Sequence, residues 1–145
     1  MTYHFTREEF KCKGKNCDGK GNNCGLDTID FELLNNLEDG RAFFTKKYGK
    51  VKVIITGGNR CIEHNETVQK EYDPNYIPYS SKTTHKKAQG ADHKYFYWKN
   101  GNWIQISPRE IYDYYDNKYP HSHGVGYYYN RTHLDPRKKK TRWGI

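Results

Sequence analysis

From Ala91 to Ile106 the chain is built around a Lys99-Asn100-Gly101-Asn102 turn. Asn-Gly accepts the positive φ angles of a two-residue hairpin, and aromatic and β-branched residues flank it on both sides. This predicts an antiparallel hairpin with strands over 91–98 and 103–106. Directly afterwards, Ser107-Pro108-Arg109-Glu110 combines an N-cap hydroxyl, a proline at the first helical position and a capping-box glutamate. Ile111, Tyr115 and Tyr119 then share one face of a helix that should end near Pro120.

The other segments extend this pattern. Thr6 with Glu9 is a capping-box pair and predicts a short helical turn through Phe10. Phe31, Leu34, Leu37, Arg41 and Phe44 recur at helical spacing with Leu33 beside them, which predicts a helix from Asp27 or Thr28 to about Lys47, only modestly weakened by Gly40. Val51 to Ile55 is β-branched and alternates with lysine, as a strand does, and runs into the Thr56-Gly57-Gly58-Asn59 turn. Residues 66–84 hold Pro74, Pro78 and a Ser/Lys/Thr run, and read as an irregular loop walling a cleft. Gly124 to Tyr129 and Thr132 to Asp135 read as closing strands, followed by the basic run Arg137-Lys138-Lys139-Lys140 and Trp143. No repeat interrupts the chain. The expected architecture is α+β, a small mostly antiparallel sheet with flanking helices, in one domain over residues 1–145.

Mean hydropathy is low, at −1.17, yet 16% of residues are aromatic, including 14 Tyr, which is unlike a disordered chain. A net charge of +8 points to a polyanionic partner, and by itself leaves nucleic acid, anionic membrane and cell-wall polymer open. No apolar run approaches a membrane span, and the first nine residues lack the apolar core of a signal peptide. The expectation is a protein made in the cytoplasm that reaches any outside substrate by another route. Cys12, Cys17, Cys24 and Cys61 form neither a CxxC pair nor a zinc-finger spacing, so incidental thiols are favoured over a structural metal or disulfide.

Chemistry concentrates in two segments, Thr83-Thr84-His85-Lys86-Lys87-Ala88-Gln89-Gly90-Ala91-Asp92 and Thr132-His133-Leu134-Asp135-Pro136-Arg137. They offer nitrogen and oxygen ligands of the kind an open catalytic zinc uses, three from protein and one from water. Spacing alone is a weak signal, because seven histidines in such a chain will produce some His/Asp pair by accident. His93 should face the side of the sheet opposite Asp92, since side chains alternate along a strand. His121-Ser122-His123 falls in an expected loop and stays outside the core site.

The two segments resemble the Ser-x-His-x-x-Gly-x-Ala-x-Asp and His-x-Asp motifs of the zinc D-Ala-D-Ala carboxypeptidases and L-alanyl-D-glutamate endopeptidases, a group that shares its fold with the hedgehog signalling domain. Phe5-Thr6 with Glu9-Phe10-Lys11-Cys12 is similar to this group's opening. Ile55-Thr56-Gly57-Gly58-Asn59-Arg60-Cys61 with His64-Asn65 resembles its Ser-Gly-Tyr-Arg segment, and Gly124-Val125-Gly126-Tyr127-Tyr128 resembles its lead into the last motif. Four segments occur in the family's order. Ala88 and Gly90 exchange the motif's glycine and alanine, and Asn130 stands where one branch has a glutamate.

The resemblance implies a monomeric zinc metallopeptidase that hydrolyses a bond next to a D-amino acid in the peptidoglycan stem peptide. It places Zn2+ on His85, Asp92 and His133, with Asp135 as an orienting group or the catalytic base. A His-x-His alignment would instead make Asp135 the ligand and His133 the catalytic residue. Arg60 and Thr83 would bind substrate, Arg60 by its planar donor fork. With the expected absence of a leader, the resemblance also implies a phage lysis enzyme or a virion-borne wall hydrolase. The rival expectation is a non-catalytic basic module for nucleic acid or wall, with Lys138, Lys139, Lys140 and Arg142 on phosphates.

Overall fold

The computed structural model describes residues 3–13, 29–59, 62–78 and 90–144. Among these are a 3₁₀ turn at Arg7–Phe10, three α-helices and six strands: α1 (Phe31–Tyr48), β1 (Val51–Gly57), α2 (Ile62–Tyr72), β2 (Ala91–Lys99), β3 (Asn102–Gln105), α3 (Pro108–Lys118), β4 (Gly124–Tyr127), β5 (Thr132–Asp135) and β6 (Thr141–Trp143). The strands run in the order β1-β2-β5-β4-β6, and β3 also pairs with β2. Every pairing is antiparallel except β4 with β6. The architecture is therefore α+β with a mostly antiparallel sheet, as the sequence predicts.

The hairpin follows its turn chemistry. Asn100 and Gly101 both take positive φ, 51° and 82°, and Lys99 faces Asn102 across the turn. In α3 the Ser107 hydroxyl accepts from the Arg109 N–H at 3.2 Å, with Pro108 in the first turn. The 3₁₀ turn is closed by Glu9, whose carboxylate accepts the Thr6 N–H at 2.6 Å.

Three expectations are corrected. First, α1 begins at Phe31 and not at Asp27 or Thr28, because the Asp30 carboxylate caps it by accepting the Leu33 N–H at 2.9 Å. Its buried stripe is Leu33, Leu34, Leu37, Gly40 and Phe44, while Phe31 is 73% exposed. Second, α2 runs over residues 62–72, so its part from 66 to 72 is helix where the irregular loop of 66–84 was expected, and 79–84 of that loop lie outside the described residues. The helix ends at Tyr72, two residues before Pro74, so the proline does not interrupt it. Third, the basic tail closes the sheet with β6, which lies parallel to β4. Cys12 is buried; Cys17, Cys24 and Cys61 lie outside the described residues.

Strand alternation divides the sheet into two faces. Val51, Val53 and Ile55 of β1, Ala91 and Tyr95 of β2, Val125 of β4 and Leu134 of β5 pack against Leu33, Leu37 and Phe44 of α1 and Ile111, Tyr112 and Tyr115 of α3. His93 lies on this covered face, opposite Asp92 as expected, and is held in a buried chain. The Tyr95 and Tyr115 hydroxyls are 2.7 Å apart, Tyr115 lies 3.1 Å from His93 Nε2, and His93 Nδ1 is 3.2 Å from the Ala91 carbonyl. One ring nitrogen thus faces a carbonyl and the other a hydroxyl, and burial pushes the His93 pKa down to about 4, which keeps the ring neutral.

Gly40 is where α1 meets this chain. A Cβ there would collide with the Tyr95 hydroxyl and come within 3.1 Å of the Tyr115 hydroxyl. Helix propensity alone would favour alanine by about 1 kcal/mol. Because both tyrosines are fully buried and tied together, overpacking at a cost of about 1–3 kcal/mol should win. Gly40→Ala is therefore expected to lower the urea midpoint at unchanged m-value; a raised midpoint would show that the hydroxyl chain yields and would defeat the argument.

Candidate functional site

The sheet face not covered by α1 and α3 carries the second motif. Asp92 pairs in register with His133 across β2 and β5, and His133 and Asp135 are two residues apart, so all three side chains project to that face. His133 sits between the two carboxylates. Its Nδ1 is 3.0 Å from Asp92 Oδ1, and its Nε2 is 2.7 Å from Asp135 Oδ2. His133 is 3% exposed and Asp135 0%.

Two arginines complete the charge arrangement. Arg137 donates to both oxygens of Asp135, from Nε at 2.7 Å and Nη2 at 2.8 Å, and its backbone N–H adds a third contact at 3.1 Å. Arg131 Nε lies 3.5 Å from Asp92 Oδ2, while its Nη2 donates to the Tyr72 hydroxyl at the end of α2 and its guanidinium covers the Tyr128 ring at 4.1 Å. Burial works against charge on Asp135, but hydrogen bonds from His133 and Arg137 hold its carboxyl well below the ordinary carboxylate range. Burial likewise opposes charge on His133, and the two carboxylates override it and raise its pKa.

The Gly124-x-Gly126 pair makes this packing possible. Gly126 faces His133 on one side and Trp143 on the other. A Cβ at Gly126 would enter the Trp143 indole, and one at Gly124 would enter the Asp135 carboxylate. The indole therefore lies against Gly126, 4.9 Å from the His133 ring, with its N–H donating to the Tyr128 hydroxyl at 3.0 Å. Trp143 walls one side of the site.

Of the residues the sequence singles out, Asp92, His133 and Asp135 come together. Arg60, Thr83 and His85 lie outside the described residues. Among the described residues no group of three or more His, Cys, Asp or Glu forms a metal-holding set. His123 is engaged elsewhere, stacked on Tyr119 at 3.7 Å and hydrogen-bonded to Asn36. Arg131, Arg137 and Trp143 were not anticipated as site residues. Arg137 was legible in principle, since an arginine two residues past a strand-end aspartate can fold back on it, whereas Arg131 carries no periodic signal.

Comparison of the chain with protein-family models, with curated proteins and with solved structures finds no match to any of them. Among the described residues no helix is long and apolar enough to cross a membrane.

Proposed function

We propose that the chain is a zinc peptidase that hydrolyses a bond next to a D-amino acid in the peptidoglycan stem peptide. The observation that carries this reading is the placement of His133 between Asp92 and Asp135. A metal-binding histidine is commonly oriented by a carboxylate on its second nitrogen, which selects the tautomer and raises ligand basicity. Here Asp135 is placed to accept from Nε2–H, and Nδ1, beside Asp92, is the nitrogen that would bind a metal on giving up its proton. The donor types fit zinc, one imidazole nitrogen and one carboxylate oxygen side by side, with His85 of the first motif as the third ligand. The D-amino-acid preference rests on the two motifs.

A zinc ion held by these residues would acidify a bound water and polarise the scissile carbonyl. The chain's own groups do the rest. Asp135, with both oxygens engaged, orients His133 and is a poor proton acceptor, so this geometry favours the orienting role over the base. It also favours His133 over Asp135 as ligand, because Arg137 already holds the Asp135 carboxylate. Arg131 sets a cation beside Asp92, and Trp143 shields His133 from water. Arg60 and Thr83 remain the proposed substrate contacts.

The rival nucleic-acid module loses one of its phosphate contacts. Arg142 donates to the Tyr119, Ser122 and His123 carbonyls and pairs with Asp116 at 2.8 Å, which ties β6 to the end of α3.

The expected result is about one zinc per purified chain by elemental analysis, with hydrolysis of purified cell walls lost on chelation and restored by zinc. His85→Ala should lose metal and activity together. A fully active metal-free protein would refute the proposal.

A further inference from the structure

The same open face of the sheet carries a second cluster, and we propose that it is the docking surface for the wall glycan strand to which the stem peptide is attached, an inference that rests on the peptidase reading. The cluster is built from outward positions of β1, β2 and β3 and the residue that precedes β1. Lys52 pairs with Phe96, and Trp98 pairs with Trp103 across the hairpin. Lys50 lies 5.3 Å from the Trp98 ring and Lys52 lies 4.4 Å from the Trp103 ring. Trp98 is 41% exposed.

Charge selects the class of ligand. Asp92 is the only acidic residue in β1, β2 and β3, and Lys52 and Lys94 share its outward side. A polymer bearing carboxylates or phosphates suits this face. Geometry then separates a glycan from a nucleic-acid strand. Successive bases stack on aromatic faces, but Trp98 and Trp103 meet at 71°, with centroids 5.2 Å apart. The two rings and their lysines offer alternating apolar and cationic spots, which match sugar-ring C–H faces beside peptide carboxylates.

Continuity with the candidate site gives the direction. Asp92 and Trp98 are both outward residues of β2, six positions apart, or about 20 Å along the strand. The two clusters thus share one side of one strand, and a polymer that carries peptide branches can lie along it while a branch enters the site beside Asp92 and His133.

The test compares purified sacculi with a short soluble stem peptide, using wild type, Trp98→Ala and Lys50→Glu; the second change is exposed and leaves the tryptophan pair intact if the first perturbs the hairpin. Sedimentation with sacculi is read at 4 °C without hydrolysis, and turnover is read separately on both substrates. The expected result is about tenfold weaker sacculus binding and slower sacculus turnover in both variants, with turnover of the soluble peptide unchanged. Unchanged sacculus binding would overturn the inference, as would variants that lose only affinity for a single-stranded DNA oligonucleotide. Binding through this face with no turnover of either substrate by the wild type would keep the surface and refute the peptidase reading instead.

Discussion

His133→Ala is expected to leave the purified protein without stoichiometric zinc and to lower cell-wall hydrolysis by more than the ~100-fold that loss of an outer-shell partner costs. The ring is the element common to both carboxylates, at 3.0 Å from Asp92 and 2.7 Å from Asp135. Without it, Asp92 keeps its contact with Arg131 and Asp135 keeps Arg137, but no imidazole faces Asp92. Asp135→Asn separates the two roles weighed for that carboxylate. If Asp135 orients His133, zinc affinity should fall about 10- to 100-fold and activity should return at saturating zinc. Full zinc occupancy with no recovery of hydrolysis would make Asp135 the base and sink the orienting role. Retention of zinc and activity by His133→Ala would remove this site from the chemistry altogether.

Arg137→Ala is expected to cost about 3 kcal/mol of stability in chelator. Removing one partner of a buried pair leaves an uncompensated charge, and Asp135 is fully buried. The low end of the usual range applies because Arg137 itself is 32% exposed and His133 remains as a second partner. For a chain of this length the loss corresponds to about 10 °C in Tm. Arg137→Lys should recover only part of it, since an ammonium cannot reproduce the two parallel contacts of the guanidinium fork. A Tm change under about 2 °C for Arg137→Ala would show that the pair contributes little beyond what His133 supplies.

Where a local interaction dominates, the sequence was a reliable guide. The Asn100-Gly101 hairpin, the Ser107 cap with Pro108 at the start of α3 and the Thr6/Glu9 turn each depend on groups within four residues of one another and form as read, whereas Glu110, read as a capping-box glutamate, accepts instead from the distant Lys47 and Tyr48. Errors fall where distant partners decide. Phe31 sits on the hydrophobic period of α1 yet is exposed, because Asp30 starts the helix there and the buried stripe is the one facing Tyr95 and Tyr115. Trp143 looks like a lone aromatic behind a basic run, and it becomes a strand only because β4 offers an open edge and a glycine for the indole to cover. The candidate site divides in the same way. Asp92, His133 and Asp135 were legible as ligand-type residues in two motifs, while Arg131 and Arg137 were not, since their roles lie in pairing with carboxylates.

Residue chemistry and short-range spacing are enough to give the class of the fold, the hairpin and the start of α3, and the acidic and imidazole side chains of metal-ligand type. The pairing of β2 with β5 in the register that sets Asp92 opposite His133, and the return of Arg137 onto Asp135, depend instead on packing between distant segments. A register is a long-range choice: shifting it by one residue would turn His133 to the covered face. It is settled by burying Leu134 and Ala91 under the helices, which leaves the charged residues between them no face but the open one.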